Sequence, residues 1–242
     1  MSAGKLIGVG LGPGDPELLT VKAVKAIKEA PVIAFFAKAG RRGNAREIAD
    51  CWISGGQTEV PLYYPMTTET RFDNPVYVET LRAFYEDSCS LLAVHLAAGC
   101  NVVLLAEGDP FFYGSFMHIY VRLREKFETA IVPGVPGMAG CWGAAEVPMT
   151  WGDDILTVLP ATLAEDEIVA RLAYCDAAVI MKLGANLPKA RAAVARAGRI
   201  AQALYVERGT MAGEKVMKLA DKTDDAAPYF SLILIPGEGR RP

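Results

Sequence analysis

The chain has 242 residues, of which 52% are hydrophobic and 22% charged, and its formal net charge is −3. This composition argues against a disordered chain and predicts a folded protein with one large or two modest cores. A dedicated nucleic-acid-binding domain would be strongly basic, and no apolar run approaches the length of a membrane span, so neither class is expected. Because the N-terminus has no secretion-signal pattern, we expect a cytoplasmic protein.

Cysteine and histidine are too few and too scattered to predict a metal site. The five cysteines and two histidines are Cys51, Cys89, Cys100, Cys141, Cys175, His95 and His118. No pair of cysteines forms a C-x-x-C motif, which is the spacing that zinc sites commonly use. We therefore expect no metal ion and reduced cysteines, most of them buried as small hydrophobic side chains.

The first predicted element is an apolar strand over Lys5–Val9, which leads into a glycine-rich stretch at Gly8–Thr20. Glycine permits positive φ angles and lets another backbone or a ligand approach closely. Asp15 is a favourable N-cap and Pro16 a favourable first residue for the helix that we predict over Pro16–Ala30. A glycine loop between a first strand and a first helix is a typical ligand-binding edge of an α/β domain.

The second predicted strand, Val32–Phe36, argues against a nicotinamide or flavin dinucleotide as that ligand. A dinucleotide-binding unit places an acidic residue about twenty residues after its glycines to hold the ribose. Here the strand ends in two phenylalanines, and Pro13 within the glycine loop lacks the N–H that a phosphate cradle needs. An NAD-dependent dehydrogenase is therefore the weaker interpretation.

A basic segment follows this strand at residues 38–46. It contains Lys38, Arg41, Arg42 and Arg46 and no acidic residue. The segment is either an ordinary solvated loop or a clamp for carboxylate or phosphate groups, since arginine offers paired donors to both.

Two more strands are followed by loops rich in glycine and proline. Asn101–Ala106 leads into Glu107–Gly114, and Phe127–Val132 leads into a loop that ends at Gly137. If these strands are parallel to the first, the three loops line one edge of one sheet, where α/β proteins bind ligands. Between them we predict a helix over Val76–Ala98 that ends at Gly99.

The two histidines fall on predicted helices. His95 shares a face of the Val76–Ala98 helix with apolar residues, so we expect it to be packed in the core. His118 lies in a predicted helix after Gly114 and has no evident partner.

The pattern changes after residue 137. Strands are predicted over Ile155–Leu159, Ala177–Met181, Ala203–Glu207, Lys215–Leu219 and Phe230–Ile235, and helices over Glu165–Tyr174 and Asn186–Arg196. Because the later strands follow one another through short turns, we predict a partly antiparallel second domain. The fold class is thus α/β with two domains: residues 1–137 with a mostly parallel sheet and flanking helices, and residues 138–242 with a mixed α+β arrangement.

The motifs taken in order resemble the tetrapyrrole (corrin/porphyrin) methyltransferase family. They are Gly8–Thr20, Glu107–Gly114, Val132–Val135, Met181 and Arg208–Met211. Within the family, Phe35–Arg46 and Glu107–Met117 are similar to the members that methylate precorrin-2 at C20 to give precorrin-3A in cobalamin biosynthesis.

The resemblance implies a homodimer that binds S-adenosylmethionine in a cleft between its two domains and releases S-adenosylhomocysteine. The implied cofactor-binding residues are Pro13, Glu107, Gly108, Asp109, Phe112, Pro136, Gly137, Met181, Gly209 and Pro236. The implied substrate carries several carboxylates, which Arg41, Arg42 and Arg46 are expected to bind. Tyr63, Tyr64, Phe111 and Tyr113 are either ring-stacking residues or core aromatics.

Two residues depart from the family pattern. Pro136 stands where a Ser or Thr is usual, so no hydroxyl can contact the cofactor there. Phe36 stands where the uroporphyrinogen methylases have an acidic residue, which makes C2/C7 methylation of uroporphyrinogen less favoured.

The remaining alternatives are a methylase of a cobalt-precorrin, of another ring position, or of a protein or RNA, and a non-catalytic ligand-binding homologue. The methyl group on the sulfonium of S-adenosylmethionine is already activated, so the reaction does not require a nucleophile from the protein, and the sequence singles out no catalytic residue.

Overall fold

The computed structural model describes residues 2–66 and 75–239. The chain divides into two compact units, Met1–Pro136 and Gly137–Pro242. No helix in these described ranges is long and apolar enough to cross a bilayer.

The first unit is built on a five-stranded sheet with the order β3-β2-β4-β1-β5, in which every pairing is parallel. The strands are β1 (Leu6–Gly10), β2 (Val32–Lys38), β3 (Thr58–Tyr64), β4 (Val102–Ala106) and β5 (Thr129–Val132). The helices are α1 (Val21–Glu29), α2 (Asn44–Ile48), α3 (Pro75–Ala97) and α4 (Phe116–Leu123). The predicted parallel sheet with flanking helices is confirmed.

Both faces of this sheet are covered. All five residues of β4 are buried, as expected for a central parallel strand. Because side chains alternate along a strand, Val103 and Leu105 join the core with α1 and α2. Val102 and Leu104 join the core with α3 and α4 on the other face.

The predicted helix over Pro16–Ala30 is wrong in one respect, since the structure divides it in two. Asp15 caps a short 3₁₀ turn at Pro16–Leu18, and its carboxylate accepts a hydrogen bond from the Glu17 amide at 2.8 Å. Thr20 is then extended (φ −68°, ψ 149°) and caps α1 through its hydroxyl. A threonine in this conformation satisfies one of the free amides of the new helix, so the chain restarts rather than continues.

The helix α3 ends within one residue of the prediction, but His95 is not packed in the core as expected. Gly99 has φ +85°, and the Cys100 amide donates to the His95 carbonyl at 3.1 Å in the manner of a glycine-terminated helix. The buried face contains Leu92 and Leu96, whereas His95 is half-buried and not part of the core.

His118 does have a partner, contrary to expectation. Its ring stacks on that of Tyr85 in α3, with centroids 4.3 Å apart and an interplanar angle of 19°. Burial, helped by Arg122, lowers the pKa of His118.

The second unit has a mixed five-stranded sheet with the order β6-β7-β10-β8-β9. Its strands are β6 (Leu156–Pro160), β7 (Ala177–Met181), β8 (Leu204–Glu207), β9 (Lys215–Lys218) and β10 (Ser231–Ile235), and its helices are α5 (Gly137–Ala144), α6 (Glu165–Leu172) and α7 (Leu187–Arg196). Only β6 and β7 pair in parallel. The predicted mixed α+β arrangement is confirmed, and α5 was not predicted.

Candidate functional site

The three glycine loops of the first unit lie side by side. The strands that precede them, β4, β1 and β5, are neighbours in the sheet, and all run in the same direction. Their loops therefore meet at the carboxyl edge, as predicted from the sequence. We call the contact between these loops the glycine floor and define it by Gly10, Gly12, Gly108 and Gly134.

The first two loops are hydrogen-bonded backbone to backbone. The Gly108 amide donates to the Gly12 carbonyl at 2.9 Å, and the Gly12 amide donates back to the Gly108 carbonyl at 3.3 Å. Both glycines have positive φ, +75° at Gly12 and +64° at Gly108. Side chains rarely tolerate such angles, so glycine is needed here for conformation as well as for space.

The third loop packs against the first two with no space for a side chain. A Cβ at Gly134 would lie 2.8 Å from the Gly10 Cα and would also overlap the Gly108 carbonyl oxygen. A Cβ at Gly10 would lie 2.5 Å from the Gly134 nitrogen. The floor is thus made of closely packed backbone from three distant parts of the chain.

Asp109 connects two of these loops with its carboxylate. Oδ1 accepts a hydrogen bond from the Phe111 amide at 2.9 Å within its own loop. Oδ2 accepts one from the Gly134 amide at 3.1 Å in the loop after β5. Hydrogen bonds to a charged acceptor are stronger than neutral ones, so Asp109 stabilises the floor from within.

Glu107 interacts with α2 instead. Burial raises the pKa of Glu107, and hydrogen bonding with the Asn44 side chain and the Ala45 amide, at the start of α2, opposes that shift. The N-cap residue of α2 is Gly43, which has no side chain with which to cap the helix.

The predicted clamp arginines are not equivalent. Arg46 is only 5% exposed, and its Nε and Nη2 each donate to the Glu59 carboxylate at 2.7 Å. Its Nη1 donates to Asp50 at 2.8 Å, and Arg42 reaches the same carboxylate at 2.6 Å. The hydrogen bonds from Arg46 lower the pKa values of both Glu59 and Asp50, and Arg42 adds to the effect at Asp50.

Arg41 and Lys38 make no such pairs. Both side chains are exposed, and neither forms an ion pair with any residue in the ranges 2–66 and 75–239. The backbone joins them in a turn, in which the Arg41 amide donates to the Lys38 carbonyl at 3.0 Å.

The candidate aromatic residues fall into two groups. Tyr64 stacks on Phe36 with centroids 5.4 Å apart, and its hydroxyl donates to the Ser115 hydroxyl at 2.5 Å. Tyr63, Phe111 and Tyr113 are 44–50% exposed. Tyr64 therefore packs as the core alternative predicted, and Ser115, which the sequence did not single out, lies beside it.

The other residues that the resemblance points to in the first unit are Pro13, which is buried, and Phe112, which is half-buried. The Phe112 ring meets that of Tyr113 edge-on, with centroids 4.9 Å apart. Pro136 is the last residue of the first unit, and Gly137 begins α5 of the second.

In the second unit, Met181 and Gly209 lie at the same edge of the sheet. Met181 ends β7 and Gly209 follows β8, and both strands are antiparallel to β10, which lies between them. Pro236 follows β10 and so lies at the opposite edge. The backbone around Gly209 is unusual, because Arg208 and Thr210 have φ of +52° and +68°.

Two further observations concern the turn at Gly209, one on its packing and one on its hydrogen bonding. A Cβ at Gly209 would lie 2.8 Å from the Cys141 sulfur. The Thr210 hydroxyl oxygen is buried and has no hydrogen-bond partner among the described residues. Buried polar atoms without partners and positive φ at non-glycine residues are both uncommon and often occur at functional sites.

Comparison with known proteins supplies the family. The family described as "Tetrapyrrole (Corrin/Porphyrin) Methylases" matches residues 5–222. The chain is 54% identical over 242 residues to the precorrin-2 C(20)-methyltransferase of Sinorhizobium sp, covering 100% of this chain and 99% of that protein. It is 30% identical over 238 residues to the cobalt-precorrin-2 C(20)-methyltransferase of Salmonella typhimurium, covering 96% of each.

A solved structure has a similar fold. The uroporphyrin-III C-methyl transferase of Thermus thermophilus, solved with S-adenosylhomocysteine, has a TM-score of 0.67 and 25% identity, with 97% of this chain and 98% of that chain covered. The match to the family extends over most of this chain and includes all three glycine loops. The chain belongs to the tetrapyrrole (corrin/porphyrin) methylase family.

Proposed function

We propose that this chain is an S-adenosylmethionine-dependent methyltransferase of cobalamin biosynthesis. It transfers a methyl group to C20 of precorrin-2 and gives precorrin-3A and S-adenosylhomocysteine. The observation that carries the proposal is the 54% identity to a precorrin-2 C(20)-methyltransferase over the full length of both chains.

The residues of the two units fit the proposed cofactor in their chemistry. The glycine floor presents backbone without side chains, which suits close contact with a compact ligand. The Thr210 hydroxyl is a buried hydrogen-bonding group that has no partner in the described part of the chain. The residues that we propose to hold the cofactor are Pro13, Glu107, Gly108, Asp109, Phe112, Pro136, Gly137, Met181 and Gly209. Pro236 is left out because it lies at the opposite edge of its sheet from Met181 and Gly209.

When bound, S-adenosylmethionine supplies a methyl group that is already activated by its positive sulfur. The chain therefore has to position the reactants and exclude water, and it needs no nucleophile of its own. Rigid contacts such as those of Gly10, Gly108 and Gly134 suit that task, because an error of about 1 Å in position can lower a rate roughly a hundredfold.

A second candidate substrate is the cobalt-containing form of the same ring. The observation that favours it is the Salmonella typhimurium relative, which is named for cobalt-precorrin-2. That relative is 30% identical, against 54% for the relative named for precorrin-2, so we place the metal-free substrate first. A homodimer and a cytoplasmic location are part of the same proposal.

The test is a direct assay of both substrates. The protein is incubated with S-adenosylmethionine carrying a ¹³C-labelled methyl and with either precorrin-2 or cobalt-precorrin-2. We expect NMR to place the label at C20 of precorrin-2. A label at another carbon, or turnover of the cobalt form alone, would refute the specific assignment but not methyl transfer. No turnover of either ring, despite measurable cofactor binding, would favour a non-catalytic ligand-binding protein.

Gly108→Val tests the cofactor site. Calorimetry should detect no binding of S-adenosylhomocysteine, because valine at a φ of +64° distorts the floor. Gly55→Val is the matched control, since Gly55 has no neighbour within 4 Å of a Cβ and lies in an exposed turn. Normal binding by Gly108→Val would place the cofactor elsewhere.

A further inference from the structure

The four cations of the basic segment divide into two pairs with different surroundings. Arg46 is buried, and each of its three guanidinium nitrogens donates a hydrogen bond to Glu59 or Asp50, while Arg42 shares Asp50. Paired hydrogen bonds between guanidinium and carboxylate are strong, and breaking a buried pair is unfavourable. Arg46 is thus a fixed anchor of α2 and is not available for a ligand.

Lys38 and Arg41 form the other pair. Both are exposed, and no carboxylate in the described ranges neutralises them. Lys38 is the last residue of β2, at the same carboxyl edge of the sheet that carries the glycine floor. The turn that joins Lys38 to Arg41 keeps the two charges close in the chain. Together they form a local positive surface on a protein of negative net charge.

The path of the chain after this turn is tightly determined. Gly43 has φ +86°, and a Cβ there would lie 2.6 Å from the Phe36 carbonyl oxygen. The chain therefore folds back over the end of β2 before α2 begins. No residue other than glycine fits at position 43.

We propose that Lys38 and Arg41 bind carboxylates of the tetrapyrrole substrate at the carboxyl edge of the sheet. This inference rests on the proposed function and deepens it. It differs from the expectation for the three arginines, because Lys38 replaces Arg46 as a contact residue.

The contact residues are tested by Lys38→Ala and Arg41→Ala. Each should raise the KM for precorrin-2 by about tenfold, in line with the loss of a hydrogen bond to a charged group. The kcat and the affinity for S-adenosylhomocysteine should stay within about twofold of wild type, since neither side chain touches the floor. Lys126→Ala is the matched control, because Lys126 is an exposed lysine just before β5, at the amino edge of the sheet. Its KM should not change.

The outcomes separate this inference from the proposed function. If wild type and Lys126→Ala methylate precorrin-2 and the Lys38 and Arg41 variants keep the wild-type KM, the substrate contact is wrong and the function stands. If wild type does not methylate either ring, the proposed function fails and the inference fails with it.

Discussion

Gly134→Ala is the sharpest test of the glycine floor, because it adds one methyl group to a site with no space. The new Cβ would lie 2.8 Å from the Gly10 Cα and would overlap the Gly108 carbonyl. These neighbours are backbone atoms of β1 and of the loop after β4, so they cannot turn aside as a flexible side chain would. The loop after β5 must move away, which lengthens the 3.1 Å hydrogen bond from its amide to Asp109.

The expected loss of stability has two parts. Overpacking of a well-packed site costs about 1–3 kcal/mol. Loss of a hydrogen bond to a carboxylate costs about 1.5–3 kcal/mol more. The sum of about 2.5–6 kcal/mol is below the middle of the range of about 5–15 kcal/mol that domains have for their total stability, so the protein should still fold. For a chain of this size, the melting temperature should fall by roughly 5–24 °C.

Differential scanning calorimetry measures the change, and titration with S-adenosylhomocysteine measures the effect on the proposed cofactor site. Gly55→Ala is the control, since its Cβ would have no neighbour within 4 Å. We expect at least tenfold weaker binding by Gly134→Ala and none of these effects in the control. A Gly134→Ala protein that melts within 2 °C of wild type and binds the ligand normally would refute the idea that the loops are in close contact.

The other predictions concern single interactions away from the floor. Arg46→Met should reduce the free energy of unfolding by about 1–3 kcal/mol at pH 7, less than for a fully buried pair because Glu59 is partly exposed. Arg46 lowers the pKa of Glu59, so this loss of stability should be fully present above the ordinary glutamate pKa and should shrink as the pH falls through the lowered pKa of Glu59. Urea unfolding of both proteins from pH 3 to 8 measures the dependence, and a loss of stability that does not change with pH would contradict the prediction. Burial raises the pKa of the Cys89 thiol to about 11, so Cys89 in the native protein should resist iodoacetamide at pH 8 while the exposed Cys51 reacts. Mass spectrometry over time measures both rates of alkylation, and equal rates would contradict the burial of Cys89. Thr20→Val should lower stability by about 1 kcal/mol through loss of the cap of α1, and Thr20→Ser, which keeps the hydroxyl, should not.

Strands were the easiest elements to predict in this chain. β7 begins and ends where the sequence placed it, and β4 differs by one residue. Both are continuous apolar runs with polar or glycine residues at their ends, the pattern of a strand buried on both faces. Alternation of such strands with amphipathic helices was enough to predict a parallel sheet in the first unit.

Elements that depend on tertiary contacts were missed. The sequence of α5, Gly137–Ala144, contains three glycines and no polar face, so it has neither helix propensity nor amphipathic periodicity. It is helical because Cys141 and its neighbours pack on the sheet of the second unit. Thr20 likewise looked like part of a continuous helix, because capping depends on a backbone angle that residue types alone do not reveal.

The candidate site was predictable as a set of loops but not as a set of contacts. The three glycine loops are visible in the sequence, whereas the contact between Gly10 and Gly134 depends on which strands are neighbours. The basic segment shows the same limit. Four cations in nine residues suggested one clamp, but Arg46 is neutralised by Glu59, which arrives on the next strand. Residue spacing does not tell which charges are satisfied within the protein.

The position of β1 has a consequence for how this protein is made. It is synthesised before both of its partners in the sheet, β4 and β5, whose pairing begins at Val102 and Thr129. Until those residues emerge from the ribosome, β1 has both edges unpaired, which is a state prone to misassociation. Pairing over such long stretches of chain also slows folding. A ligand of the glycine floor cannot stabilise any of these early states, because the floor does not exist before Gly134 is in place. Such a ligand therefore stabilises only the completed first unit.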